Sequence, residues 1–254
     1  MDSLSISFSG CAWHVAYHFG VTTQIQKYFD TKQIKFLGAS SGAMCAAVAA
    51  CDIDGNEAFQ FLHEAASQWQ HRRIGPFGNM SKIINDAFEK LTPTSLPDDL
   101  YSRLFISVTE LPTFRNKLLP DRPLADRAEL FKIIRASTYI PLYYEKPAMY
   151  KGRAYIDGGL TNNQPILDRS TIKISPYKTE TRAVDLHPNY HAPYTDALFP
   201  KLELLERLFA DGQRDGKVYF ERLVERKPGR LPLRNYTLGS SNFVDSSSQK
   251  KQLL

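Results

Sequence analysis

Cysteine is scarce in this chain: three among 254 residues, Cys11, Cys45 and Cys51, an odd number with no C-x-x-C spacing. That argues against a disulfide framework or a zinc site, and leaves buried free thiols in a reducing compartment as the expectation. Long apolar runs are missing too. The longest, Ala43 to Cys51, falls far short of the roughly 20 residues a membrane-spanning helix needs. The opening MDSLSISFSG has neither a basic segment nor an extended apolar one, so no signal peptide is expected. A cytoplasmic location follows, with any membrane contact peripheral. Runs of one charge are likewise absent. The net charge of +5 is spread along the chain, which argues against nucleic acid as a partner and is compatible with an anionic lipid surface. There is no internal repeat.

What is present is an ordinary globular composition, 43% hydrophobic and 23% charged, in a chain long enough for one sizeable α/β domain and an appendage. Leu4–Phe8 predicts a short strand running into the small-residue turn Ser9-Gly10-Cys11-Ala12, and Trp13–Phe29 carries apolar residues at helical spacing. Ile34–Leu37 predicts a second strand, broken at Gly38-Ala39-Ser40-Ser41-Gly42 before the alanine-rich helix. Strand, turn and helix thus occur twice, which implies a parallel sheet flanked by helices. Helices are expected over Asn56–Gln70, Ser81–Leu91 and Arg127–Ser137, and strands over Leu104–Thr109, Ala154–Asp157 and Thr171–Ser175. Asp196–Leu223 predicts an amphipathic helical segment interrupted by Gly212 and Gly216, and the polar tail from Lys227 onward predicts poor order.

Gly38-Ala39-Ser40-Ser41-Gly42 is a G-x-S-x-G pattern between a strand and a helix, the context a nucleophile elbow requires. Small neighbours let the chain turn sharply, and the helix N-terminus offers unpaired N–H groups to a developing oxyanion. A tight glycine turn without chemistry would look the same locally. Ser40 needs a base, and the six histidines supply no clear one. His187 and His191 come late in the chain, as an α/β-hydrolase histidine would, but in a Pro/Tyr/Asn-rich loop. Asp157-Gly158-Gly159 ends a strand and brings a carboxylate to the sheet edge where sites collect. Burial would raise its pKa toward the working range. Taken alone, D-G-G reads as a turn. A third element, Ser9-Gly10-Cys11-Ala12-Trp13, has residues small enough to bring backbone N–H groups close to an oxyanion.

These pieces, in this order, resemble the patatin-like phospholipase family. The segments SFSGCAWHVAYHFGV, KFLGASSGAM, RASTYIPLYY, YIDGGLTNNQP and LFPKLELLERLFADGQRDG are similar to its adipose triglyceride lipase and adiponutrin branch, over roughly residues 4 to 224. The resemblance implies a three-layer α/β fold with a mostly parallel central sheet and a helical C-terminal extension. Its boundaries would be 4–177 for the catalytic domain, 178–226 for the extension and 227–254 for the tail. It implies Ser40 as nucleophile, Asp157 as proton acceptor in a dyad without histidine, and backbone donors around Gly10, Cys11 and Ala12. No metal or cofactor is called for. The implied substrate is a glycerolipid ester, met at a membrane or lipid-droplet surface, and acyl transfer would use the same machinery. The family's loop reads G-x-G-x-x-G; here the matching positions hold Gly10, Ala12 and Val15. If position 12 needs a positive φ, alanine is strained there by about 1 kcal/mol or more. A weakened oxyanion hole would cost on the order of a hundredfold in rate, which keeps a non-catalytic lipid-surface protein as a rival reading.

Overall fold

The computed structural model describes residues 4–145, 147–178, 184–190, 192–227 and 229–234. Strand β1 (Ser5–Phe8) enters a short 3-10 turn (Ala12–Val15) and helix α1 (Ala16–Tyr28). Strand β2 (Lys35–Ala39) is followed by α2 (Ser41–Ala50), α3 (Gly55–Trp69) and α4 (Met80–Leu91). A single turn, α5 (Leu100–Arg103), precedes β3 (Leu104–Glu110), β4 (Arg115–Leu119) and α6 (Arg127–Thr138). Then come β5 (Ala148–Tyr150), β6 (Arg153–Asp157), the short α7 (Gly159–Asn162), β7 (Ile172–Ile174) and the long α8 (Leu202–Arg226).

The sheet runs β5-β6-β3-β2-β1-β7, with β4 also paired to β3. Its centre is parallel: β1 pairs with β2 and β7, and β2 with β3. The pairings of β3 with β4 and β6, and of β5 with β6, are antiparallel, an edge the strand pattern alone does not reveal. The two strand–helix crossovers explain the parallel centre, because parallel neighbours need a long connection that covers the sheet. Both faces are covered. In β1 the apolar Ile6 and Phe8 are buried, and so are the intervening Ser5 and Ser7. Those serines are satisfied sideways: Ser5 Oγ shares a hydrogen bond with Thr171 Oγ1 at 2.9 Å, and Ser7 Oγ accepts from Gln164 Nε2. A strand buried on both faces is the signature of a three-layer arrangement.

The C-terminal segment differs from its reading in two respects. Gly212 and Gly216 do not interrupt α8, which is continuous over Leu202–Arg226. A Cβ on Gly212 would stand 2.2 Å from the Tyr17 carbonyl oxygen of α1, and one on Gly20 of α1 would stand 2.1 Å from Phe209 O of α8. The glycines are there so that two helix backbones can touch. The beginning of the polar tail is also bonded: Asp30 N–H donates to Pro232 O at 2.8 Å and Arg234 N–H to Tyr28 O at 3.1 Å. The rest of the tail, 235–254, lies outside the described residues. Cys11 and Cys45 are buried as free thiols, while Cys51 is half-buried. Among the described residues no helix is long and apolar enough to cross a membrane.

Candidate active site

Ser40 sits where β2 hands over to α2, with φ 54° and ψ −130°. This is a sparsely populated conformation for a side-chain-bearing residue and costs on the order of 1–3 kcal/mol. The flanking glycines make the turn possible. A Cβ on Gly42 would lie 2.3 Å from Phe8 O, and one on Gly38 2.2 Å from Gly42 O. The elbow is therefore pressed against β1 with no room for a side chain on either flank. Its strain is held by hydrogen bonds: Ser40 N–H donates to Ser137 Oγ at 2.9 Å, and that hydroxyl donates to Ser107 O at 2.7 Å.

Asp157 ends β6 opposite Val108 of β3. Its N–H donates to Tyr139 O at 2.9 Å, Thr109 Oγ1 donates to its carbonyl at 2.8 Å, and Gly159 N–H donates to Oδ1 at 2.7 Å. Gly158 has no room for a side chain, since its Cβ would fall 1.9 Å from Ser107 O. Oδ2 is shut off from solvent and has no formed hydrogen bond among the described residues. Burial pushes the carboxyl from 3.8 up to about 6, opposed by the nearby Ser40 hydroxyl and the Gly159 amide. The serine approaches the carboxyl closely enough to act on it, short of a formed hydrogen bond. Such contacts commonly tighten only once substrate is bound.

The loop after β1 is anchored differently from the sequence expectation. Gly10 N–H already donates to Asn163 (3.1 Å to Oδ1, 3.3 Å to O), and Asn163 Nδ2 returns a bond to Gly10 O at 3.2 Å. Cys11 N–H donates to Ser41 Oγ at 3.1 Å. Two of the three expected oxyanion donors are thus committed to holding the loop. Among the described residues the amides of Ala12, Trp13 and Ser41 have no acceptor. Ala12 does adopt a positive φ, 49°, so the alanine is strained where the sequence anticipates a glycine. Val15, at φ −54°, enters α1 without strain. Trp13 is fixed by its indole N–H, which donates to Tyr143 Oη at 2.8 Å.

The histidines stand apart from this centre. His14 and His18 are buried, and burial lowers them to about 4 and about 3. His14 Nδ1 lies 2.8 Å from Tyr177 Oη, His63 Nε2 2.8 Å from Glu206, and His187 Nδ1 2.9 Å from Pro188 O. Among the described residues none lines a cavity that Ser40 lines, and the His187 ring is engaged at Pro188 O; His191 lies outside the described residues. No three His, Cys, Asp or Glu side chains among the described residues are grouped to hold a metal ion.

Two cavities meet at Ser40. One is an open polar cleft, whose walls include Gly10, Cys11, Ala12, Asp157, Asn163 and Gln164. The other, a narrow cavity of about 80 Å³, is almost wholly apolar and runs between α2, α3, α4 and α6 past Phe19, Met44, Val48, Phe61, Ile84 and Leu91. Its existence is not legible from local motifs, because α3 and α4 read as ordinary amphipathic helices. Ser137 and Asn163 lie in the quoted runs RASTYIP and LTNNQP, yet nothing local marks them as supports of the elbow and loop. Ser41, which the sequence marks only as part of the elbow, holds the loop through its hydroxyl.

The chain is similar to known proteins over much of its length. The family model for "Patatin-like phospholipase" matches residues 6–169. The chain is 30% identical over 186 residues to "Patatin-like phospholipase domain-containing protein 4" of Homo sapiens, covering 70% of this chain and 73% of that protein. It is 29% identical over 184 residues to "1-acylglycerol-3-phosphate O-acyltransferase Pnpla3" of Mus musculus, covering 69% of this chain but only 44% of that longer protein. Among solved structures, VipD from Legionella pneumophila superposes with a TM-score of 0.50 at 11% identity, over 87% of this chain and 67% of that one, which speaks to the fold alone.

Proposed function

The chain belongs to the patatin-like phospholipase family, and from that premise we propose that it is a lipid acyl ester hydrolase working through a Ser40–Asp157 dyad. The observation that carries this reading is the position of Ser40 between the polar cleft that holds Asp157 and the apolar channel. An ester whose acyl tail occupies the channel presents its carbonyl to the serine and its alcohol portion to the cleft.

Asp157 accepts the Ser40 proton as Oγ attacks the acyl carbon. The tetrahedral oxyanion is held by the unpaired amides of Ala12, Trp13 and Ser41 at the N-terminus of α2. Collapse expels the alcohol, which takes the proton from Asp157, and leaves an acyl-serine. Water entering from the cleft gives a proton to Asp157 as its oxygen attacks the acyl carbon. The second tetrahedral intermediate then collapses: the C–O bond to Ser40 breaks, Asp157 returns the proton to Ser40 Oγ, and the fatty acid leaves. A carboxyl held at about 6 is a far better base than one at 3.8, while still ionised at neutral pH. In this reading residues 4–177 carry the chemistry, and 178–226 buttress them through α8 against α1. An acceptor alcohol in the cleft would resolve the same acyl-enzyme by transfer, a second outcome supported by the mouse relative named as an acyltransferase and by the hydroxyl- and amide-rich cleft.

A fluorophosphonate probe tests the proposal. Labelling of the wild-type protein that is abolished in Ser40→Ala supports it, together with release of fatty acid from long-chain glycerol esters. Folded wild-type protein that neither labels nor hydrolyses any ester refutes it.

A further inference from the structure

Three chain segments meet at Tyr143, a residue that lines the apolar channel. Phe77 packs edge-on against Tyr143, a channel-lining residue, with ring centres 4.5 Å apart, and stacks on Phe199 at 5.5 Å. Gly78 N–H donates to Tyr143 O, and Tyr143 Oη donates to Leu198 O. From this junction large apolar side chains project into solvent: Leu142 is 91% exposed, Ile74 63% and Phe199 43%. Leu142 is held out by a left-handed backbone, φ 71°, a conformation leucine adopts only at a cost. Exposed apolar groups clustered beside the wall of an apolar cavity are a liability unless something covers them.

The adjacent charges indicate what covers them. The stretch 70–79 carries Arg72 and Arg73 and no acidic residue. Both arginines are exposed and, among the described residues, neither makes an ion pair. The nearby Glu145 is engaged by the Ser81 amide. Apolar tips flanked by exposed arginines without a carboxylate partner, Arg72 lying over the Trp69 ring at 4.3 Å, match a phospholipid surface with anionic headgroups, the tips entering the acyl boundary and the arginines meeting phosphate. We infer that this face, built on Ile74, Leu142, Phe199, Arg72 and Arg73, seats the protein on such a surface, with the channel wall at Tyr143 next to the lipid. The inference deepens the hydrolase reading, yet binding to lipid can be measured without turnover.

The test uses the Ser40→Ala chain and sedimentation with vesicles. One set is phosphatidylcholine alone; the other contains phosphatidylcholine and phosphatidylserine in equal parts. Binding is expected to be on the order of tenfold or more stronger to the second set, and Arg72→Glu with Arg73→Glu should erase that preference. Leu142→Glu with Ile74→Glu should weaken binding to both sets by about tenfold or more. Met149→Glu, at an exposed residue of β5, is the control and should change neither. Melting curves verify that each variant is folded; Leu142→Glu alone serves if the double variant is not. The inference is overturned if the apolar variants bind as the parent does, if Met149→Glu loses as much, or if the parent ignores headgroup charge. It also fails if the parent dimerises in solution and Leu142→Glu abolishes the dimer, which would assign the face to a second copy.

Discussion

Asp157→Asn should make the protein more stable while making it inactive, and the size of the gain should depend on pH. A carboxyl held at about 6 rather than 3.8 binds its proton more tightly in the folded than in the unfolded chain. Between those values the native state keeps a proton that the unfolded state has lost, so this group's contribution falls as pH rises across that window. Above the folded value the cost is constant, and at 1.36 kcal/mol per tenfold it amounts to about 3 kcal/mol. Asparagine is the neutral counterpart, and its oxygen can still accept the Gly159 amide. At pH 8 Asp157→Asn should therefore melt higher by roughly 6–12 °C, taking about 2–4 °C per kcal/mol for a chain of this size. At pH 4, where the wild-type carboxyl is protonated in the native state and roughly 40% protonated in the unfolded chain, the difference should shrink to about 0.6 kcal/mol. Hydrolysis by the variant should fall by about 10²–10⁴. Melting curves at pH 4, 6 and 8, beside assays with a long-chain ester, decide the matter. A gain that is the same at pH 4 and 8, or a loss at pH 8, would show that burial does not destabilise the Asp157 carboxylate and would remove the physical basis for its role as base.

The same carboxyl sets the acid limb of activity: kcat/KM of the wild type should fall about tenfold per pH unit below pH 6, and a profile flat to pH 4.5 contradicts it. Ala12→Gly relieves left-handed strain of about 1–2 kcal/mol against about 0.4–1 kcal/mol of added chain entropy, so denaturant unfolding should show a gain of about 0.5–1 kcal/mol; a loss would mean that the backbone at position 12 is unstrained. Gly212→Ala places a methyl where Tyr17 O stands at 2.2 Å and should cost about 3 kcal/mol or more by forcing α8 off α1, read as a fall in melting temperature. Val48→Phe fills the apolar channel and should lower the ratio of long-chain to butyryl ester hydrolysis at least tenfold, with an unchanged ratio refuting the channel as the acyl site.

Much of the fold was legible because its determinants are local. Strand and helix boundaries fall within a residue or two of the expected ones at β2, α3, α4, β3, α6 and β6, since apolar periodicity and caps such as Asp54 and Asp126 act over a single turn. The antiparallel additions of β4, β5 and β6 were not legible, because pairing partners distant in sequence leave no local periodic mark. Gly212 was misread as a helix breaker for a related reason: a glycine that admits a neighbouring backbone and one that ends a helix look alike until the neighbour is known.

At the site the division is the same. Ser40 between glycines after a strand, Asp157 before two glycines, and the alanine at a positive-φ position are all readable along the chain, because backbone conformation at a turn limits which residues can stand there. What those residues can do depends on groups far away in sequence. Asn163 and Ser41 take up two of the expected oxyanion amides, burial raises Asp157, and α3 and α4 close an apolar channel over Ser40. The sequence by itself determined the elements, the elbow and the family. Only the tertiary structure decided which amides stay free, where the carboxyl titrates and what lies above the serine, because hydrogen-bond partners, desolvation and cavities depend on what packs around a group and not on its neighbours along the chain.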